Sequence, residues 1–66
     1  MKVKKDEFLK YMDVYNLNFT EVSEKMHISR SYLWEVLEGK KQPGNKFIFG
    51  LKLVFPNEHV ENFLEI

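Results

Sequence analysis

Sixty-six residues with zero net charge, 44% apolar and 15% aromatic, suffice for one small domain spanning 1–66 and nothing larger. A chain of this length buries only about 60% of the surface that its unfolded form exposes, so its core depends on dense apolar packing or on association. The lack of cysteine excludes disulfide staples and zinc–cysteine sites. No apolar run approaches a membrane span, and the opening MKVKKDE has no apolar stretch behind it, so a cytoplasmic protein with no membrane partner is expected.

The zero total conceals an uneven distribution. Residues 27–47 carry Arg30, Lys40, Lys41 and Lys46 against Glu35 and Glu38, 4 − 2 = +2, whereas residues 48–66 carry Lys52 against Glu58, Glu61 and Glu65, 1 − 3 = −2. A basic face and an acidic tail fit inside a neutral whole, although such charges also serve as ordinary solvated surface.

In chain order, the apolar spacing predicts five short helices and an all-α fold. The first covers about 4–15, with Phe8, Met12 and Tyr15 at i, i+4 and i+7 as its inward stripe. Asn16 and Asn18 interrupt it. Asn18 is a good cap for a second helix over 19–26, where Phe19, Val22 and Met26 share a face and Ser23 is small enough for close approach by a neighbour. His27 and Ile28 form a turn. Ser29 then caps a third helix over 30–38 with Leu33, Val36 and Leu37 inward, and Gly39 closes it in the left-handed conformation.

Pro43-Gly44-Asn45 marks a loop and a further Asn cap, opening a fourth helix over 46–54 that is apolar on nearly every side. A strand is the alternative for so short an aromatic run, but the helical neighbours favour a helix. Pro56 ends it. Asn57 is expected to cap a fifth helix over 57–65, with Val60, Phe63 and Leu64 as its stripe.

Two capped helices joined by a short turn, followed by a basic loop, have the layout of a helix-turn-helix over Asn18 to Pro43. The run Leu17-Asn18, Val22-Ser23, His27-Ile28-Ser29, the helix from Arg30 to Glu38, and Gly39-Lys40-Lys41-Gln42-Pro43 resembles the Cro/C1-type helix-turn-helix proteins, the phage-repressor-like or XRE family of bacteria and their viruses. The resemblance covers essentially the whole chain and implies a lambda-repressor-like DNA-binding domain, a transcriptional regulator or repressor of phage or mobile-element origin that binds double-stranded DNA as a homodimer. It also implies base-facing positions for Arg30, Ser31 and Glu35, flanked by Tyr32 and Trp34. Phosphate contacts are implied for Lys40, Lys41 and Lys46 at the groove rim, and for Asn18 and Thr20 at the start of the second helix.

The chemistry of these side chains is compatible with those places. Arginine makes paired hydrogen bonds to guanine O6 and N7, serine bonds a base or phosphate, and glutamate accepts from cytosine N4. Phe19 departs from the family pattern, where a polar residue commonly holds a phosphate, and is expected to pack beneath the third helix. Met12 and Leu37 stand where many relatives pair an Arg with a Glu, an exchange that apolar packing tolerates. Phe47, Phe49, Phe55, Val60, Phe63 and Leu64 supply more apolar surface than a monomer of this size easily hides, so they are the expected surface for a dimer or another partner.

The alternative function is a protein-binding, antirepressor-type module on the same scaffold, docking on another regulatory protein through Tyr32, Trp34 and the Phe-rich C-terminal helices. An enzyme is not expected. The chain has no activated nucleophile, no paired carboxylates in a pocket and no phosphate loop, and no small-molecule substrate or cofactor is implied. His27 and His59 lack companion ligands at metal-binding spacing.

Overall fold

The computed structural model describes residues 2–65. Four α-helices follow one another, α1 Lys5–Val14, α2 Phe19–Met26, α3 Arg30–Leu37 and α4 Asn45–Val54. A short 3-10 turn, Val60–Asn62, comes next. The two ends of the chain meet in an antiparallel ribbon of β1 Lys2–Val3 and β2 Leu64–Glu65, with Lys2 opposite Glu65 and Val3 opposite Leu64.

The first three helices end in the same way. A residue with positive φ stands after each of them, Asn16 (55°), His27 (59°) and Gly39 (79°). The following amide then reaches back five residues: Leu17 N–H to Met12 C=O at 2.8 Å, Ile28 N–H to Ser23 C=O at 3.1 Å, and Lys40 N–H to Glu35 C=O at 2.8 Å. This is the Schellman closure, which satisfies carbonyls that a helix end leaves open. After α1 and α2 the pattern continues identically, with a buried or half-buried apolar residue, Leu17 or Ile28, and then a cap, Asn18 or Ser29.

Both caps act as the sequence predicts. Asn18 Oδ1 accepts from Glu21 N–H at 2.8 Å while Glu21 Oε1 accepts from Asn18 N–H at 3.1 Å, a complete capping box. Ser29 Oγ accepts from the amide of Tyr32 at 3.1 Å. The cap of α4 differs from expectation. Ile48 N–H donates to Gly44 C=O at 3.0 Å, so the helix begins one residue earlier, with Gly44 as its cap and Asn45 already helical.

The tail corrects the prediction of a fifth helix over 57–65. Asn57 caps nothing, and the spacing of Val60, Phe63 and Leu64 serves a 3-10 turn and a strand. Lys4 N–H donates to Phe63 C=O at 2.7 Å, and the ribbon then holds Leu64 and Glu65 extended against the N-terminus. Backbone pairing with β1 is available only if the tail unwinds.

The core joins α1, α4 and this tail through aromatic rings. Phe55 and Phe63 stack at 5.1 Å with planes 14° apart, and the edge of Phe8 meets Phe55 at 5.6 Å and Phe63 at 6.0 Å. Tyr11 lies 4.9 Å from Phe63, and Phe47 lies 6.2 Å from Phe8. Val22, Met26, Leu33 and Val36 extend the cluster under α2 and α3. Met12 and Leu37 are both buried in it, and the polar link between α1 and the end of α3 is instead a surface ion pair of Lys5 with Glu38.

Helix α4 packs chiefly on α2. Gly50 makes this approach possible, since a Cβ there would stand 2.9 Å from Met26 Cβ and 3.1 Å from its carbonyl oxygen. No helix among the described residues is long and apolar enough to cross a membrane.

Candidate nucleic-acid interface

Helix α3 divides its residues cleanly. Leu33, Val36 and Leu37 are buried, so the helical period turns Arg30, Ser31, Trp34 and Glu35 to the other side. Arg30 and Ser31 are exposed, Glu35 is half-buried, and Trp34 retains 44% of its surface. These four residues line an open groove together with Phe19 of α2 and Lys40 of the following loop. Five of its six lining residues are among those singled out from the sequence.

The sixth, Phe19, is expected to pack beneath α3. It is half-buried, touching the core on one side and lining the groove on the other. Its position at the first turn of α2, facing an outward-turned α3, is a tertiary fact that no local pattern contains.

Charge within the groove is loosely tied. Arg30 Nη1 lies 3.5 Å from Thr20 Oγ1, at the long limit of a hydrogen bond, so its guanidinium retains its donors. Lys40 Nζ sits 4.4 Å from the centre of the Trp34 ring. Lys41 Nζ lies 3.8 Å from Glu35 Oε1 and 5.7 Å from the centre of the Tyr32 ring. Tyr32 itself is half-buried, its ring edge-on to Phe47 at 6.5 Å, and it does not line the groove.

Of the positions expected at phosphates, Lys40, Lys41 and Lys46 are exposed, with Lys46 in the first turn of α4 and outside the groove. Thr20 is exposed and its hydroxyl meets Arg30. Asn18 spends its side-chain oxygen and its backbone N–H on the capping box, which leaves its side-chain NH2 as the donor it can offer to a phosphate.

The apolar surface expected for a partner is mostly interior. Phe47 is 0% exposed, Phe55 and Phe63 are 1% exposed, and Leu64 is buried. Their rings and side chains satisfy one another within a single copy, because the tail folds back onto α1 and α4. Val60 is half-buried, and Phe49 is 60% exposed. Leu53, one turn after Phe49 on α4, is also exposed and forms with it the outward apolar pair of that helix. The i, i+4 spacing carried that signal.

A second polar cluster lies away from the groove. Tyr15 Oη donates to Glu58 Oε2 at 2.7 Å, which ties the end of α1 to the segment after α4. That bond raises the Tyr15 pKa above the ordinary value, with burial adding to it; burial first and then Glu58 raise that of Tyr11. Among the described residues, no cluster of three or more His, Asp or Glu side chains could hold a metal ion. In comparisons with known proteins, the chain matches no protein-family model, no curated protein and no solved structure.

Proposed function

We propose that this chain is a sequence-specific DNA-binding transcriptional regulator of the phage-repressor-like type, with α2 and α3 as its helix-turn-helix and α3 as the helix that enters the major groove. The observation that carries this reading is the gathering of Arg30, Ser31, Glu35 and Lys40 around one exposed groove at α3. A helix presented by its first turn offers Arg30 and Ser31 to base edges, with Glu35 one turn further along the same face and Lys40 at the rim. Arg30 reads guanine through O6 and N7, Ser31 bonds a neighbouring base or phosphate, and Glu35 accepts from cytosine N4. Lys41 beside Glu35 offsets the repulsion that a carboxylate would feel near phosphates.

Two copies on paired half-sites would set their α3 helices roughly 34 Å apart along the duplex. This arrangement uses one small basic face twice and so suits a chain of zero net charge. With most of the phenylalanines interior, contact between copies falls to Phe49 and Leu53.

Titration of duplex DNA at two salt concentrations tests the proposal. Affinity falling steeply with salt is expected, and no binding even at low salt would refute it. Arg30→Ala should then cost about 1–3 kcal/mol on the preferred sequence and relax the preference at that base pair. A second reading, an antirepressor-type module that docks on another regulator, is favoured by the apolar surfaces of Phe19 and Trp34 in the same groove. Trp is a frequent anchor of protein interfaces, and that reading predicts no response of Trp34 fluorescence to duplex.

A further inference from the structure

Two adjacent lysines follow Gly39, and the backbone gives both the same starting point: the amides of Lys40 and Lys41 donate to Glu35 C=O at 2.8 and 3.3 Å. The left-handed Gly39 folds the loop back over the last turn of α3. Their side chains then meet different chemistry. Lys41 Nζ has the Tyr32 ring at the longer distance of 5.7 Å and faces the Glu35 carboxylate at 3.8 Å, so its charge is partly balanced within the protein. Lys40 Nζ faces the ring of Trp34 at 4.4 Å, and a ring attracts a cation through its quadrupole while leaving the unit charge intact.

We infer that Trp34 is a positioning residue for Lys40, a seat that holds an unneutralised ammonium at the rim of the groove for a DNA phosphate. The inference rests on the DNA-binding reading and deepens it: Trp34 acts on the phosphate backbone through Lys40, and of the two lysines Lys40 supplies the larger share of the salt-dependent contact. A free lysine samples many rotamers, and binding a phosphate must order it. The seat holds it at the rim, and without the ring the ammonium spreads over rotamers that do not reach the phosphate, so the contact itself is lost. An ammonium carries three N–H donors, and an aromatic face on one side leaves the others directed at solvent.

The test measures the slope of log Kobs against log salt for a random-sequence 20-base-pair duplex, together with proton NMR of the free protein. Loss of one phosphate contact flattens the slope by about 0.9. Lys40→Ala should show that loss, and Trp34→Ala should show most of it although Lys40 is still present. Trp34→Phe should restore the wild-type slope in large part, and the double variant should be no flatter than Lys40→Ala alone. Lys41→Ala should change the slope less than Lys40→Ala. In the free protein the Lys40 ε-methylene protons should be shifted upfield by the Trp34 ring and return to ordinary values in Trp34→Ala.

A wild-type slope in Trp34→Ala, additive losses in the double variant, or no upfield shift in the wild type would each overturn the inference while leaving DNA binding in place. Absence of salt-dependent binding by the wild-type protein would overturn both. Because Trp34 is exposed, circular dichroism should report the same fold for each variant.

Discussion

The aromatic cluster and the face of α3 use the same residue types to opposite ends. In the cluster, Phe8, Phe47, Phe55 and Phe63 are all but inaccessible and satisfy one another by stacked and edge-on contacts. On the face, Trp34 and Phe19 keep open surface and stand among Arg30, Ser31, Glu35 and Lys40. An aromatic ring stabilises a small domain when other rings cover it. Left uncovered among charges it has little to add to the fold, and under the proposed function its removal should be felt in binding more than in folding.

The largest effect should separate the two regions most sharply. Phe63→Ala leaves a cavity between Phe55, Phe8 and Tyr11, and the expected loss of about 3–5 kcal/mol is of the order of the whole stability of so small a domain. Trp34→Ala should stay within about 0.5 kcal/mol in the same urea titration. Comparable losses for the two would erase the distinction.

A smaller effect tests the junction between the regions, where α4 of the core meets α2 of the face. Gly50→Ala replaces a poor helix former by the best, which alone would add about 1 kcal/mol of stability. Here the new Cβ would meet Met26 Cβ at 2.9 Å and the Met26 carbonyl at 3.1 Å, and the backbone oxygen has little room to yield. Overpacking of about 1–3 kcal/mol should therefore outweigh propensity and lower Tm. A raised Tm would mean that α2 and α4 separate easily.

The smallest effect is expected at the polar edge of the core. Because Tyr15 has a raised pKa in the folded state, its contribution to stability is fully present below the unfolded value of about 10 and is lost as pH rises through the folded value. The first cause is the hydrogen bond to Glu58, so Tyr15→Phe should flatten the fall of Tm with pH above about 10 relative to wild type. An unchanged pH dependence would remove that bond from the stability of the core.

How much was legible depended on how far apart in the chain the cause of each feature lies. Asn18, Ser29 and Gly39 act within one helical turn of themselves, and the bounds of α2 and α3 follow from them. The turn at His27 and Ile28 was legible from the two caps around it, whereas the left-handed backbone of His27 is shown by the structure. The groove was half legible. Helical period alone sends Arg30, Ser31, Trp34 and Glu35 to one side, but the addition of Phe19 required knowing how α2 crosses α3.

The sequence by itself therefore determined the first four helices to within a residue at each end, the closure of α3 at Gly39 and the outward set on α3, because hydrogen bonds and side-chain periodicity over three to five residues are enough to specify them. Tertiary structure alone decided the tail and the fate of the phenylalanines. The pairing of Val3 with Leu64 joins residues at opposite ends of the chain, and the helical spacing of Val60, Phe63 and Leu64 gives no sign of it. Once that ribbon forms, Phe63 is carried onto Phe55 and Phe8, and apolar surface that looked destined for a partner becomes the interior of a single copy.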